Sequence, residues 1–418
     1  MTRRTIPWLV LIGILVAALS LRAPIIAVTP VLPAIIRDLG IGSASAGLLT
    51  TSPVVMFAVM TPLAALVIRR AGAELALLLS LGGVMIGTLV RALPGFGAML
   101  AGMVIMGAAI TIGNVVIPVI IRRDLPAERT ALATAAYTAT LNAGSLLTVF
   151  ATVPLAGVTG WSLALLLWGA FTVAGIVLWA VHMVRSRAWS SAERASGGAP
   201  AARPRDAPDE GATVTITGPM PVVVDNRVAA IVRRPIVWLL MLAFASQSLI
   251  YYAVSTWLPT ILLDTTDVNA AGAGATASLF QGVAIVGALI SPLLLRHLGA
   301  VGSGVLLGAF FGIMVVGMML SPELAWLWAS VGAITHSGGF VLIFTGLVRT
   351  SRSDAEAATM SAFIQGGGYL FAALGAPVLG ALREASGGWG VPLFAAAMAV
   401  IVYTAALVTA MMVAFRRR

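Results

Sequence analysis

Apolar residues fall in long runs along this chain. Each run is cut by a short polar stretch, with no regular alternation of apolar and polar positions. A helix that crosses a bilayer needs about 20 mainly apolar residues. That criterion predicts twelve spans, at roughly 7–36, 44–68, 75–93, 95–121, 130–157, 161–184, 235–263, 271–295, 300–320, 322–348, 356–382 and 389–415. Several exceed the minimum length and require tilt. Residues 185–234 form the one long polar stretch, rich in Ala, Pro, Gly, Ser and charge. Such a segment cannot bury a core and is expected to be a mostly disordered cytoplasmic linker. It divides an N-terminal six-helix bundle (1–184) from a C-terminal one (235–418).

The two halves repeat. Ala27, Val28, Leu32, Pro33, Ile35 and Asp38 match Ala253, Val254, Leu258, Pro259, Ile261 and Asp264, each 226 residues later. Thr61-Pro62-Leu63 followed by Arg69-Arg70-Ala71-Gly72-Ala73 recurs as Ser291-Pro292-Leu293 followed by Arg296-His297-Leu298-Gly299-Ala300. Pro154-Leu155 and Gly160-Trp161 recur as Pro377-Val378 and Gly388-Trp389. Three matches in one order at nearly one offset argue for duplication. The expected fold is therefore an all-α integral membrane protein of two pseudo-symmetric six-helix bundles.

Composition closes off the alternatives. The chain is 60% hydrophobic and 10% charged, with a mean hydropathy of +1.03. A soluble domain is about 45–50% apolar and about a quarter charged, so this apolar surface must face lipid. There is no cysteine, which removes disulfides, thiolate metal sites and redox pairs. The first apolar run is too long for a signal-peptide core and reads as a retained helix. A net charge of +10 might suggest nucleic acid, but all 25 basic residues are Arg, clustered between apolar runs. That pattern sets topology instead. With the N-terminus inside, 21 Arg fall on the cytoplasmic side and only Arg37, Arg91 and Arg383, 3 in all, fall on or near the outer side. Both termini are expected in the cytoplasm.

The remaining basic residue, Arg22, lies within the first span. Arg at a helix centre costs about 2.5–3.5 kcal/mol on insertion scales, and no Asp or Glu is expected at mid-depth to offset it. A guanidinium stays protonated and offers five donors in a planar fork, so an anionic ligand is the reading preferred over snorkelling or bonding to carbonyls freed by Pro24. In two-repeat transporters the solute site lies near the midplane between the halves. On the seventh span Gln247, Tyr251 and Ser255 share a helix face, with Tyr252 beside them. His336, mid-way along the tenth, could bond the solute, carry a symported proton or simply pack. Asn114 on the fourth span, Asn142 (with Thr138 and Ser145) on the fifth, Gln281 on the eighth, and Gln365 with Tyr369 on the eleventh are site candidates or interhelical glue. Gly83 and Gly87 form a GxxxG that reads as packing.

No GxxxxGK[ST] phosphate loop, metal-ligand cluster or nucleophile–base pair is present. An enzyme, a cofactor and a metal are not expected.

Several stretches carry a family resemblance: Leu21-Arg22, Arg37-Asp38-Leu39-Gly40, Gly47-Leu48-Leu49-Thr50-Thr51, Gly113-Asn114-Val115 with Pro118, and Arg123-Asp124-Leu125-Pro126. Here the chain resembles the cyanate permease and 2-nitroimidazole transporter (CynX/NimT) family of the major facilitator superfamily. The resemblance implies a secondary transporter in a bacterial inner membrane, working as a monomer by alternating access. Its solute would be a small anion such as cyanate, with transport coupled to protons or driven by the solute gradient itself. The alternative is efflux of neutral or weakly polar compounds such as nitroimidazoles. One departure stands out: the superfamily's loop between the second and third spans carries an Asp, and Pro62 to Glu74 holds none.

Overall fold

The computed structural model describes residues 8–125, 127–195 and 231–415, without the side chains of several of them. Most of the linker expected over 185–234 lies outside the described residues, although the sixth span's helix runs on to Ala195. Eleven helical stretches are long and apolar enough to cross a membrane. One of them, Ala270–Leu320, is 51 residues long and turns back at Gly299, where φ is 67°. It therefore supplies two spans, the eighth and ninth, and among the described residues the total is the expected twelve.

The corners depend on glycine. Gly72 joins the second and third spans at φ 82°, and Gly299 joins the eighth and ninth. These are matching positions of the two repeats. A side chain disfavours this backbone region, so glycine lets the helix reverse with almost no loop.

Four spans break along their length. The first divides into Trp8–Ile26 and Val28–Leu39 around Ala27. The sixth, eighth and eleventh divide at Trp168, Val283 and Ala373–Leu374. Pro24, Pro30 and Pro33 flank the first break. Each lacks an N–H, so carbonyls one turn earlier lose their helical donor.

Large apolar side chains such as Val158, Leu289 and Leu320 stand 75–88% exposed. In water this would be a liability. In hydrocarbon it is the expected outer face. Within each half, small residues allow close helix contact: a Cβ on Gly87 would sit 2.7 Å from the Gly102 carbonyl oxygen, and one on Gly83 2.7 Å from the Ala109 Cβ. The GxxxG of the third span packs against the fourth in this way.

The halves meet most tightly at the end where the first, seventh and eleventh spans finish and the second begins. A Cβ on Gly47 would lie 2.6 Å from the backbone of Ala376 and Pro377. At the opposite end, the ties seen among the described residues lie within each half. Glu74 pairs with Arg123 at 2.6 Å, joining the third and fourth spans where the usual loop Asp is missing. Arg234 pairs with Glu356 and donates to the Thr350 carbonyl at 2.6 Å, joining the seventh, tenth and eleventh.

Candidate solute-binding site

A central cavity lies between the halves. The first, second, fourth and fifth spans form one wall, and the seventh, eighth and eleventh the other. The cavity has a volume of about 100 Å3. One water needs only about 10–15 Å3 on that measure, so the cavity suits a small molecule.

Arg22 lines this space. Among the described residues its guanidinium has no ion pair or hydrogen bond. The acids of the described chain that form ion pairs do so at helix ends, away from it. The cation therefore reaches the cavity with its donors free.

Tyr251, Tyr252 and Tyr369 from the other half share the cavity with it, together with Asn114. Tyr251 donates to Gln281 Oε1 at 2.9 Å, and Gln281 Nε2 reaches Ser255 Oγ at 3.4 Å. The rings of Tyr251 and Tyr252 meet edge-on at 5.1 Å. Asn114 accepts from the Tyr137 hydroxyl at 3.3 Å. Of the seventh-span face, Tyr251 and Ser255 line the cavity.

Gln247, one turn earlier, is 1% exposed and does not reach the cavity wall. Its Nε2 donates to the His336 carbonyl and lies 3.4 Å from His336 Nδ1. The His336 ring stacks on Tyr251 with centroids 4.1 Å apart and planes at 15°. His336 is therefore not part of the wall itself but stacks on a residue that is. Gln365 is also buried, donating to Ser361 Oγ at 2.7 Å. Asn142 is half-buried and outside the wall, and the Thr138 side chain is not among those described.

Sequence reasoning passed over other wall residues. Thr256 donates to Thr50 at 2.8 Å, directly across the two halves. Phe57 meets Tyr369 edge-on at 6.0 Å, again across the halves. Small hydroxyls and Phe are ordinary inside spans, so only their position in the bundle marks them.

Towards the tightly joined end, Arg383 pairs with Asp264 at 2.6 Å and donates to Ser43 Oγ at 3.1 Å. Glu384 accepts from the Ser43 backbone N–H. Trp389 donates to Asp264 at 2.9 Å, and the Arg383 guanidinium lies 5.2 Å from the Trp389 ring centre. Ser43 belongs to the N-terminal half and all its partners here to the C-terminal half, so this cluster bridges the two.

A bilayer-spanning pair of six-helix bundles around a central cavity of mixed apolar and polar lining defines a class, the membrane transporters built from two parallel repeats. The comparisons with known proteins place the chain within it. The sequence model described as Major Facilitator Superfamily matches residues 10–376, and the chain belongs to that superfamily. It is 30% identical over 388 residues, 92% of this chain and 91% of the relative, to the 2-nitroimidazole transporter of Escherichia coli (strain K12). It is 28% identical to the uncharacterized transporter YycB of Bacillus subtilis (strain 168), over 96% of this chain and 92% of the relative. Among solved structures, a D-xylose–proton symporter matches with a TM-score of 0.71 at 12% identity, covering 99% of this chain and 98% of that one. A bacterial homolog of the human lysosomal transporter Spinster, inward-facing and unoccupied, matches at 0.69 and 16% identity, covering 98% and 94%. Those two likenesses are of fold. The chain is a transporter and not an enzyme, as the sequence led one to expect.

Proposed function

We propose that the chain moves a small anion, cyanate or one of comparable size, by alternating access, with Arg22 as its clamp. One observation carries this reading: an unpaired guanidinium faces a small cavity between the halves, and no acid of the described chain offsets it. Intramembrane charges are costly and mark solute or ion pathways. A charge left free of protein partners is satisfied by a ligand from outside. Tyr251, Tyr252, Asn114 and Gln281 complete the shell with neutral polar groups, which disfavours a cation.

In this reading both termini are cytoplasmic, following the Arg distribution. The cluster of Ser43, Asp264, Arg383 and Glu384 then closes the outer side, and the halves must part there to admit or release solute. Thr50–Thr256 would open with them. A single chain supplies both walls, so the working unit is a monomer. His336 remains the candidate for a symported proton, acting on the cavity through Tyr251.

The name of the E. coli relative favours a second reading, in which a nitroimidazole is the cargo. A nitro group presents two acceptor oxygens to a guanidinium much as a carboxylate does. The rings of Tyr251, Tyr252, Tyr369 and Phe57 would then flank the heterocycle.

Uptake of labelled cyanate and labelled 2-nitroimidazole into proteoliposomes, with Arg22→Ala and Arg22→Lys beside the parent, tests both. Undiminished transport by the two variants removes Arg22 from the mechanism. Transport of only the neutral compound selects the second reading.

A further inference from the structure

A second cation lies inside the bundle. Arg91, at the end of the third span, is 2% exposed. From sequence it counts as an outer-surface charge, but the structure buries it. Among the described residues no carboxylate meets it. Its Nη1 donates to the Pro24 carbonyl and its Nη2 to the Leu165 carbonyl at 2.9 Å, with Met103 Sδ at 3.8 Å. Its charge is thus held by carbonyl dipoles from two other spans. Pro24 lies beside the break in the first span, two residues after Arg22. Arg22 faces the cavity, and Arg91 holds the backbone of the same turn and anchors it to the sixth span.

We infer that Arg91 is a positioning residue for transport: its planar fork ties the broken turn of the first span to the sixth span and so aims the Arg22 guanidinium into the cavity. A lysine keeps the charge, but its three donors rotate about one nitrogen on a flexible stem, so it holds the two carbonyls far less rigidly than the planar fork. The close approach of the fourth span leaves little room for Arg91 to move. A Cβ on Gly102 would sit 2.6 Å from the Arg91 backbone nitrogen and 2.7 Å from its Cβ.

This inference rests on Arg22 being the cavity cation of the proposed function, and the test separates the two. The chain has no cysteine, so Ser255→Cys gives a single thiol in the opposite wall. Its rates of reaction with an anionic and a cationic methanethiosulfonate are compared as a ratio that reads the field at that spot. Removing a nearby buried cation should lower the ratio by about tenfold or more. The ratio is measured in the parent, in Arg22→Met and in Arg91→Lys, with folding checked by size-exclusion and thermal melting. The expected result is that Arg91→Lys lowers the ratio by at least half as much, on a log scale, as Arg22→Met does. An unchanged ratio in Arg91→Lys, with Arg22→Met still lowering it, overturns the role of Arg91. An unchanged ratio in Arg22→Met overturns the cavity reading beneath it. Should Arg91→Lys fail to fold, Gly102→Ala is used in its place. It keeps the guanidinium but displaces its backbone, and it must lower the ratio for the inference to stand.

Discussion

In each half a tryptophan opening the last span donates to an aspartate closing the first: Trp161 to Asp38 at 2.6 Å, and Trp389 to Asp264 at 2.9 Å. The residues are repeat partners, and the contact is the same contact twice. Around it the halves differ. Asp264 also holds Arg383, whose neighbour Glu384 and own guanidinium reach Ser43 in the other half. Asp38 has no ion pair among the described residues. At the cavity the asymmetry runs the other way. The N-terminal half brings the cation, Arg22, and the C-terminal half brings Tyr251, Tyr252, Tyr369 and Gln281. The repeat keeps the frame, and the charged and polar groups of the proposed site lie where the two copies differ.

The sharpest way to break this comparison is to fix the one-sided bridge. With cysteines at Ser43 and Glu384 in this cysteine-free chain, a short bifunctional thiol reagent should stop solute uptake in proteoliposomes, and excess reagent with either single variant should not. Uptake that survives cross-linking would show that the halves need not part there. The next largest effect is expected at the cavity. Arg22→Ala should lower uptake about a hundredfold, the loss of one or two charge-assisted hydrogen bonds, and Arg22→Lys less. A third test removes the bridge without locking it. Arg383→Ala should shift accessibility of a Ser255→Cys thiol to an impermeant reagent by about tenfold, because an ion pair with added hydrogen bonds is lost from one conformer only. Equal accessibility from the same face would deny the cluster a gating role. The smallest effects compare the repeated contact itself. Trp161→Phe and Trp389→Phe should each cost about 1 kcal/mol in thermal unfolding, but only Trp389→Phe should also alter uptake, since only its aspartate joins the bridge.

The sequence made the spans and the repeat legible because both are local properties: a run of apolar residues, or a motif met again in order. Arg22 was legible for the same reason, as a charge where lipid allows none. Arg91 was not, because a basic residue at the end of an apolar run has the same signature whether it snorkels to the surface or turns inward. Gln247 shows a different limit. Its spacing puts it on the face of Tyr251 and Ser255, but its long side chain turns to the tenth span and bonds the His336 backbone. Asn142 and Gln365 likewise share faces with plausible wall residues without reaching the wall. Helix periodicity gives direction, and depth within the bundle depends on neighbours that a single sequence does not reveal.

The corners at Gly72 and Gly299 carry a mechanical consequence. Two spans joined by a single residue act as one stiff lever, with no slack to absorb bending at the membrane surface. Compliance must then come from the interior, at Ala27, Trp168, Val283 and Ala373–Leu374, where helices are already interrupted. Three of those four joints lie in cavity-lining helices, so flexing the carrier and reshaping the pocket around its cargo would be a single movement.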